Sequence, residues 1–121
     1  MKIACGTDII EIARIKKSID SLGDRFLNTI FTEAEIEYCE GHGANRFQHY
    51  AARFAAKEAL YKALSGFVSK DVLTWKNFEF VNDVNGKPLV IVDDSRIESI
   101  DVSISHCKDY AVANVVVLYN S

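Results

Sequence analysis

The sequence lacks a long apolar run, an excess of basic charge and any paired-cysteine motif. No stretch approaches the roughly 20 apolar residues that a membrane-spanning helix needs, and the apolar residues after Met1 are too few for a signal peptide. The net charge of −3 argues against a general nucleic-acid-binding protein. We therefore expect neither a membrane nor a nucleic acid as partner.

Cysteine usage and glycine patterns exclude further classes. The three cysteines are odd in number and form no C-x-x-C, which argues against a disulfide framework and predicts a cytoplasmic setting. Cys39 and His42 are too isolated for a zinc site, which needs four ligands. A Walker-type glycine loop and a G-x-G-x-x-G are both missing, so no standard nucleoside-triphosphate fold is expected.

The overall composition is typical of one globular domain over residues 1–121. Hydrophobic residues make up 49% of the chain and charged residues 26%. A chain of this size buries only about 65% of its unfolded surface, so its core is thin. Oligomerisation is therefore an open option for stabilising it.

The first half of the chain predicts mainly helices. A short buried strand over 2–7, closed by Asp8, precedes apolar residues spaced three or four apart. Thr32 and Glu35 match a capping box. The segment with the strongest helical pattern is rich in alanine. The predicted helices cover 9–22, 24–30, 33–39 and 46–64.

The second half predicts strands. Phe78 and Phe80 alternate with polar residues, and Asn85-Gly86 is a strong hairpin-turn signal. The later strands are expected over 89–92, 102–105 and 111–119. The class is therefore α+β, with N-terminal helices and one long central helix packed on a small antiparallel sheet.

Two candidate carboxylates each have an ordinary interpretation and a functional one. Asp8, between a strand and a helix, could cap the helix or could bind a metal such as Mg²⁺. Glu58 and Lys62 lie four residues apart on one helix face, where a solvated ion pair would contribute about 0.3–0.5 kcal/mol. The alanine-rich surroundings instead favour burial, and a partly buried carboxylate needs a cation.

The histidines and the turn also allow two interpretations. His106 ends a strand beside Lys108 and Asp109, where a ligand could reach it. His42 and His49 lack such a context, and we interpret both as structural or surface residues. Residues 85–88 need no function as a turn, but could clamp a nucleotide through open backbone and one cation.

Five blocks together resemble holo-(acyl-carrier-protein) synthase, the short 4'-phosphopantetheinyl transferase family. No block is specific alone, but all five occur in the family's order and span nearly the whole chain. They cover residues 6–15, 25–27 with 30–35, 53–64, 85–88, and 103–106 with 109–113.

The resemblance implies a function. Such an enzyme transfers 4'-phosphopantetheine from coenzyme A to a serine of apo acyl carrier protein, as part of fatty acid biosynthesis.

The resemblance also implies roles for particular residues: Asp8 and Glu58 would ligate Mg²⁺, and Glu58 and Lys62 would be catalytic. Coenzyme A would contact Arg53, Lys62, Asn85, Gly86, Lys87, Pro88 and His106, and the carrier would dock on Arg14, Lys17, Arg25, Phe26 and Phe54. Family members are homotrimers with active sites at subunit interfaces, where residues 85–88 come from a neighbouring subunit.

The chain departs from the family pattern at three places. Residues 92–101 are too short for the helix of about 11 residues that the family usually has there. Ser65 replaces a common glycine, and Ser21 replaces a frequent basic residue that Lys17 could compensate. Two rival interpretations stay open, namely a non-catalytic coenzyme-binding module and a structural homotrimer with interface ion pairs.

Overall fold

The computed structural model describes residues 1–120. The first element is the strand predicted at the N-terminus; it belongs to the larger sheet, and the helices follow it. In order the elements are β1 Lys2–Glu11, α1 Ile12–Leu22, α2 Asp24–Ile30, α3 Glu33–Glu40, α4 Arg46–Leu64, β2 Glu79–Asn82, β3 Pro88–Ile91, β4 Ile97–His106 and β5 Tyr110–Tyr119. Short 3₁₀ turns occupy 43–45 and 75–77.

The strands form two antiparallel sheets. The larger has the order β1-β5-β4, so the last strand lies between the first strand and β4, and Ala113 faces both Asp8 and Ile104. Strands β2 and β3 form a separate hairpin. Helix α4 covers one face of the larger sheet. The predicted α+β class, with helices packed on a small antiparallel sheet, is confirmed, and the separate β2-β3 hairpin accompanies that sheet.

The N-terminal prediction was wrong in detail. Strand β1 continues to Glu11, and its side chains are exposed or half-buried in alternation instead of fully buried. Asp8 therefore lies inside the strand and caps no helix, while Ile9 is 63% exposed. The backbone of 8–11 pairs with β5 down to Tyr110, and these ladder hydrogen bonds outweigh the local helical spacing. Helix α1 begins only at Ile12.

Other local predictions are confirmed. Thr32 and Glu35 form a reciprocal capping box at the start of α3, and α2 and α4 have their predicted bounds. Gly86 has φ of 82°, as the predicted turn requires. The predicted start of β4 was wrong: the strand begins at Ile97, five residues earlier, because its backbone pairs with β5 as far as Tyr119. As the short segment 92–101 led us to expect, no helix lies between β3 and β4. Ser65 has φ of −60°, so no glycine is needed there.

The core has two parts that meet on α4. One lies between the C-terminal half of α4 and the larger sheet. The other lies between α1, α2, α3 and the N-terminal half of α4. Among residues 1–120, no helix is long and apolar enough to cross a bilayer.

A buried ion pair joins the helices to the hairpin. Lys57 Nζ lies 2.7 Å from Glu35 Oε1, and both side chains are almost fully buried. The ammonium also donates to the carbonyls of Ile30, Trp75 and Phe78 at 2.6–2.9 Å. Glu35 in turn accepts from the backbone N–H groups of Thr32 and Phe80, each at 2.8 Å. The pair therefore stabilises α2, α3, α4 and β2 in one arrangement.

Candidate active site

Strand β1 comes unusually close to α4 at Gly6. A Cβ atom at this position would lie 1.9 Å from the carbonyl oxygen of Ala59, so a larger residue would force the two elements apart. Asp8 lies two residues further along and points to the same face of the strand. The close approach therefore brings Asp8 to the α4 residues Glu58 and Lys62.

These three side chains form a charged cluster at the end of α4. Lys62 Nζ lies 3.4 Å from Asp8 Oδ1 and donates to the Thr7 carbonyl at 2.9 Å. Asp8 Oδ2 is buried and has no hydrogen-bond partner. Burial, followed by the charge of Asp8, raises the pKa of Glu58, although Lys62 opposes this. The cluster thus consists of two carboxylates and one ammonium group, and one carboxylate oxygen, Asp8 Oδ2, is an unsatisfied acceptor.

The chemistry of this cluster fits a divalent cation. Mg²⁺ is usually held by one or two carboxylates, with waters and phosphate oxygens completing its shell. The unpartnered oxygen of Asp8 and the raised pKa of Glu58 are both features that a bound cation would relieve. Residues 1–120 contain no group of three or more potential protein ligands, so the protein could supply only part of the shell.

A second cluster surrounds a cavity of about 170 Å³ at the other end of α4. Arg53 is only 4% exposed, and its Nη2 donates to Asn82 Oδ1 at 3.1 Å. Its guanidinium lies 4.2 Å from the centre of the Tyr38 ring. The Nε atom is buried without a partner. The cavity walls consist of Tyr38, His49, Ala52, Arg53, Asn82, Gly86, Pro88, Ile104 and His106.

The predicted site residues are thus divided between two places within one chain. Asp8, Glu58 and Lys62 are together, whereas Arg53 and His106 line the second cavity with Gly86 and Pro88. Arg53 and Glu58 are five residues apart on α4, so their side chains leave the helix about 140° apart. Asn85 lies in the exposed turn, and Lys87 Nζ is 2.8 Å from Asp101.

Sequence reasoning missed three residues of the second cavity. His49, interpreted as a structural or surface residue, lines the wall together with Tyr38 and Asn82. Its position four residues before Arg53 places it on the same helix face, which was an available signal. Tyr38 and Asn82 arrive from α3 and β2, and no local pattern connects them with Arg53.

Aromatic side chains form a row beside the first cluster. The Phe26 and Phe54 rings are 6.5 Å apart, and Phe54 stacks on Trp75 at 5.2 Å. The side chains of the other predicted carrier-docking residues, Arg14, Lys17 and Arg25, are exposed. A cavity of about 230 Å³ separates Trp75 from Glu58, and its other walls are Lys57, Tyr61, Leu73, Thr74 and Phe78.

Comparison with known proteins identifies the family. Residues 4–115 match the model of the 4'-phosphopantetheinyl transferase superfamily. The chain belongs to this superfamily. The resemblance predicted from five sequence blocks is therefore confirmed.

Its relatives in the superfamily agree over almost their full length. The holo-[acyl-carrier-protein] synthase of Ruminiclostridium cellulolyticum is 43% identical over 97% of this chain and 92% of its own, and that of Thermodesulfovibrio yellowstonii is 48% identical over 93% and 95%. The Bacillus anthracis synthase, crystallised with CoA (3',5'-ADP), superposes with a TM-score of 0.80 at 39% identity and covers 94% of each chain. The Helicobacter pylori enzyme in complex with coenzyme A gives 0.81 at 31% identity over 94% and 99%.

Proposed function

We propose that the chain is a single-domain holo-(acyl-carrier-protein) synthase. It transfers 4'-phosphopantetheine from coenzyme A to a serine of apo acyl carrier protein and thereby serves fatty acid biosynthesis. The observation that carries the proposal is the cluster of Asp8, Glu58 and Lys62, with its buried unpartnered oxygen, in a chain of this superfamily. Relatives crystallised with coenzyme A support the choice of donor.

The step is a phosphoryl-group transfer in which positioning and charge neutralisation supply most of the catalysis. The serine oxygen bonds to the β-phosphorus of coenzyme A, and the bond from that phosphorus to the bridging oxygen breaks. Adenosine 3',5'-bisphosphate leaves with the bridging electrons. Glu58 takes the serine proton, directly or through a water, and a raised pKa suits this role. Lys62 neutralises charge on the diphosphate.

Mg²⁺ is the proposed cofactor, and Asp8 and Glu58 would hold it. When bound, it would neutralise negative charge on the diphosphate and stabilise the leaving oxygen. The position of Lys62 beside Asp8 Oδ1 supports the same site, since the ammonium and the diphosphate would then meet at one end of α4. Free cysteines at positions 5, 39 and 107 support the proposed cytoplasmic location.

The proposed assembly is a homotrimer with active sites between subunits. The face of the larger sheet turned away from α4 exposes apolar side chains, among them Ile3, Ile9 and Val116 at 72%, 63% and 44%. Such a patch is typical of a protein–protein interface. The separation of the two charged clusters supports a composite site, in which Arg53, His106 and residues 85–88 of one subunit face Asp8, Glu58 and Lys62 of the next.

The proposed carrier-docking surface combines charge with aromatic area. Arg14, Lys17 and Arg25 form no ion pair in the described part of the chain, so they are free to attract an acidic carrier. Phe26 and Phe54 are half-buried and stacked, which offers the carrier a rigid apolar anchor in addition to these cations.

Intact-mass analysis tests the proposed reaction. Apo acyl carrier protein incubated with the enzyme, Mg²⁺ and coenzyme A should gain the mass of one phosphopantetheine group. Glu58→Gln should abolish the gain at ordinary Mg²⁺, because the variant lacks both a metal ligand and a base. The matched control Glu37→Gln, at an exposed carboxylate of α3, should react like the wild type.

The rival interpretations predict other outcomes. A coenzyme-binding module would be stabilised thermally by coenzyme A but would leave the carrier mass unchanged. A structural homotrimer would show no response of its melting temperature to either coenzyme A or Mg²⁺, whereas binding to the folded state must raise it. Near-normal turnover of Glu58→Gln would contradict both roles assigned to Glu58.

A further inference from the structure

The cavity around Arg53 lacks an anion to pair with its buried cation. A buried guanidinium costs free energy unless it is paired and hydrogen-bonded. Arg53 forms no ion pair within residues 1–120, and only Asn82 and the face of Tyr38 compensate its charge. The Nε atom of Arg53 is also buried and has no partner. Arg53 therefore offers an anion both an uncompensated positive charge and an unused N–H donor.

The His49 ring is fixed in the wall of this cavity. The His42 ring stacks on it, with 3.6 Å between the ring centres, and the Tyr38 ring meets its edge at 5.6 Å. His42 is fixed in turn, because its Nδ1 lies 2.9 Å from the Tyr38 carbonyl and must donate to that oxygen. His49 is therefore held by neighbours on two sides and faces the same space as Arg53 and His106.

Among residues 1–120, the groups that face His49 in this cavity include no carboxylate. They are Tyr38 from α3, His42 from the following loop, Arg53 from α4 and His106 from β4, and the neutral Asn82 of β2 completes the wall. Burial first, and then the charges of His42, His106 and Arg53, lower the pKa of His49 below its ordinary value of 6.5. The negative charge of an anion bound among these groups would stabilise the protonated imidazole and would therefore raise the pKa of His49.

We propose that His49 is a further phosphate-binding residue of this cavity, and that it binds a phosphate group of coenzyme A in its protonated form. The inference rests on the proposed function, since it takes coenzyme A as the source of the phosphate. Coenzyme A has two groups with the required chemistry, the 3'-phosphate and the diphosphate.

Proton uptake on binding follows from the proposal. His49 is neutral in the free protein near neutral pH and charged in the complex, so its pKa is higher when the phosphate is bound. Binding therefore takes up a proton at every pH between the free and the bound pKa. The affinity for coenzyme A should rise as pH falls through this window and should level off below the free pKa.

Nuclear magnetic resonance can observe His49 directly, because the chain has only three histidines. The ring signals of the intact protein would be titrated with and without coenzyme A and Mg²⁺, and assigned with His42→Gln and His49→Phe. The His49 signal should titrate below the ordinary histidine range in the free protein and move to higher pH in the complex. An unmoved His49 titration in the saturated complex would overturn the inference.

Calorimetry of His49→Phe measures the contribution to affinity. Phenylalanine keeps the stacking on His42, and His49→Gln serves as a second variant should the first fold poorly. The wild type should bind coenzyme A about tenfold more tightly than His49→Phe near pH 6, as expected for a charge-assisted hydrogen bond, with little difference near pH 8. Equal affinities and equal pH dependence would also overturn the inference.

Two further arms separate the possible explanations. If dephospho-coenzyme A abolishes the difference between the wild type and His49→Phe, the 3'-phosphate is the group bound; if the difference persists, it is the diphosphate. Normal coenzyme A binding that is insensitive to His49 leaves the proposed function intact and rejects only this role. Failure of the wild type to bind coenzyme A at all would reject both.

Discussion

Lys57 and Arg53 are two buried cations on the same helix, one turn apart, with opposite surroundings. Lys57 is 1% exposed and contacts the Glu35 carboxylate and three backbone carbonyls. Arg53 is 4% exposed and has one amide oxygen, one aromatic face and a nitrogen without any partner. The two side chains are almost equally buried, so what distinguishes them is that Lys57 has a counter-charge and acceptors for its ammonium, whereas Arg53, among residues 1–120, has no counter-charge and one N–H without an acceptor.

This difference separates a buried charged residue that stabilises the fold from one that binds a ligand. A buried ion pair whose hydrogen bonds are complete fixes the surrounding elements, as Lys57 does for α2, α3 and β2. A buried cation without a counter-charge costs stability, and such a cost is typical of functional sites. The environment of Arg53 is therefore the one that favours a bound anion, although Arg53 and Lys57 belong to the same sequence block.

The largest expected effect comes from breaking the satisfied pair. Lys57→Met would leave the Glu35 carboxylate buried without a counter-charge and would remove the donor to three carbonyls. We expect the free energy of unfolding to fall by about 3–5 kcal/mol, measured by urea denaturation.

A double variant provides the control for this prediction. Lys57→Met with Glu35→Gln removes the uncompensated charge and keeps an acceptor oxygen for one of the two backbone N–H groups, those of Thr32 and Phe80, that Glu35 binds. It should recover part of the loss, which would show as non-additivity. A loss below about 1 kcal/mol in the single variant would contradict the structural role assigned to Lys57.

Arg53→Met should affect ligand binding more than folding. Without ligand, the free energy of unfolding should stay within about 1 kcal/mol of the wild type, since the lost contacts are offset by removal of an unpaired charge. At coenzyme A concentrations near 100 times the wild-type Kd, the wild type should gain about 2.7 kcal/mol, and the variant should lose most of this gain. An undiminished gain would place the anion site elsewhere.

The smallest expected effect is the pH dependence contributed by His49. Its pKa is lowered in the folded protein, so the unfolded chain binds more protons near and below pH 6.5. Stability without ligand should therefore be complete above the ordinary histidine pKa and should fall as pH drops through the folded pKa. His49→Phe should show a shallower decline in urea denaturation, and an identical slope would argue against the lowered pKa.

Local signals predicted several elements correctly. The capping box of Thr32 and Glu35 marked the start of α3, and the unbroken alanine-rich segment gave the bounds of α4. Asn85-Gly86 marked the hairpin turn. Each of these signals acts between residues that are near in sequence, and its geometry is the same in any fold.

Predictions failed where distant residues decide the outcome. Ile9 has helical spacing relative to Ile12, yet pairing with Val112 of β5 holds it in a strand. Glu35 was recognised only for its capping role, whereas its burial depends on Lys57, 22 positions further along. The contact of Asp8 with Lys62 requires the close approach at Gly6, which a single local pattern does not reveal.

The amino-acid sequence by itself determined the fold class, the family and the identity of the charged residues, because motif order and helix-capping chemistry are written along the chain. Only the tertiary structure decided that Asp8 lies within a strand, that Lys57 is satisfied while Arg53 is not, and that His49 shares a cavity with Arg53. The physical reason is that burial and hydrogen-bond satisfaction are set by elements far apart in sequence, and they alone distinguish a stabilising charge from one that awaits a ligand.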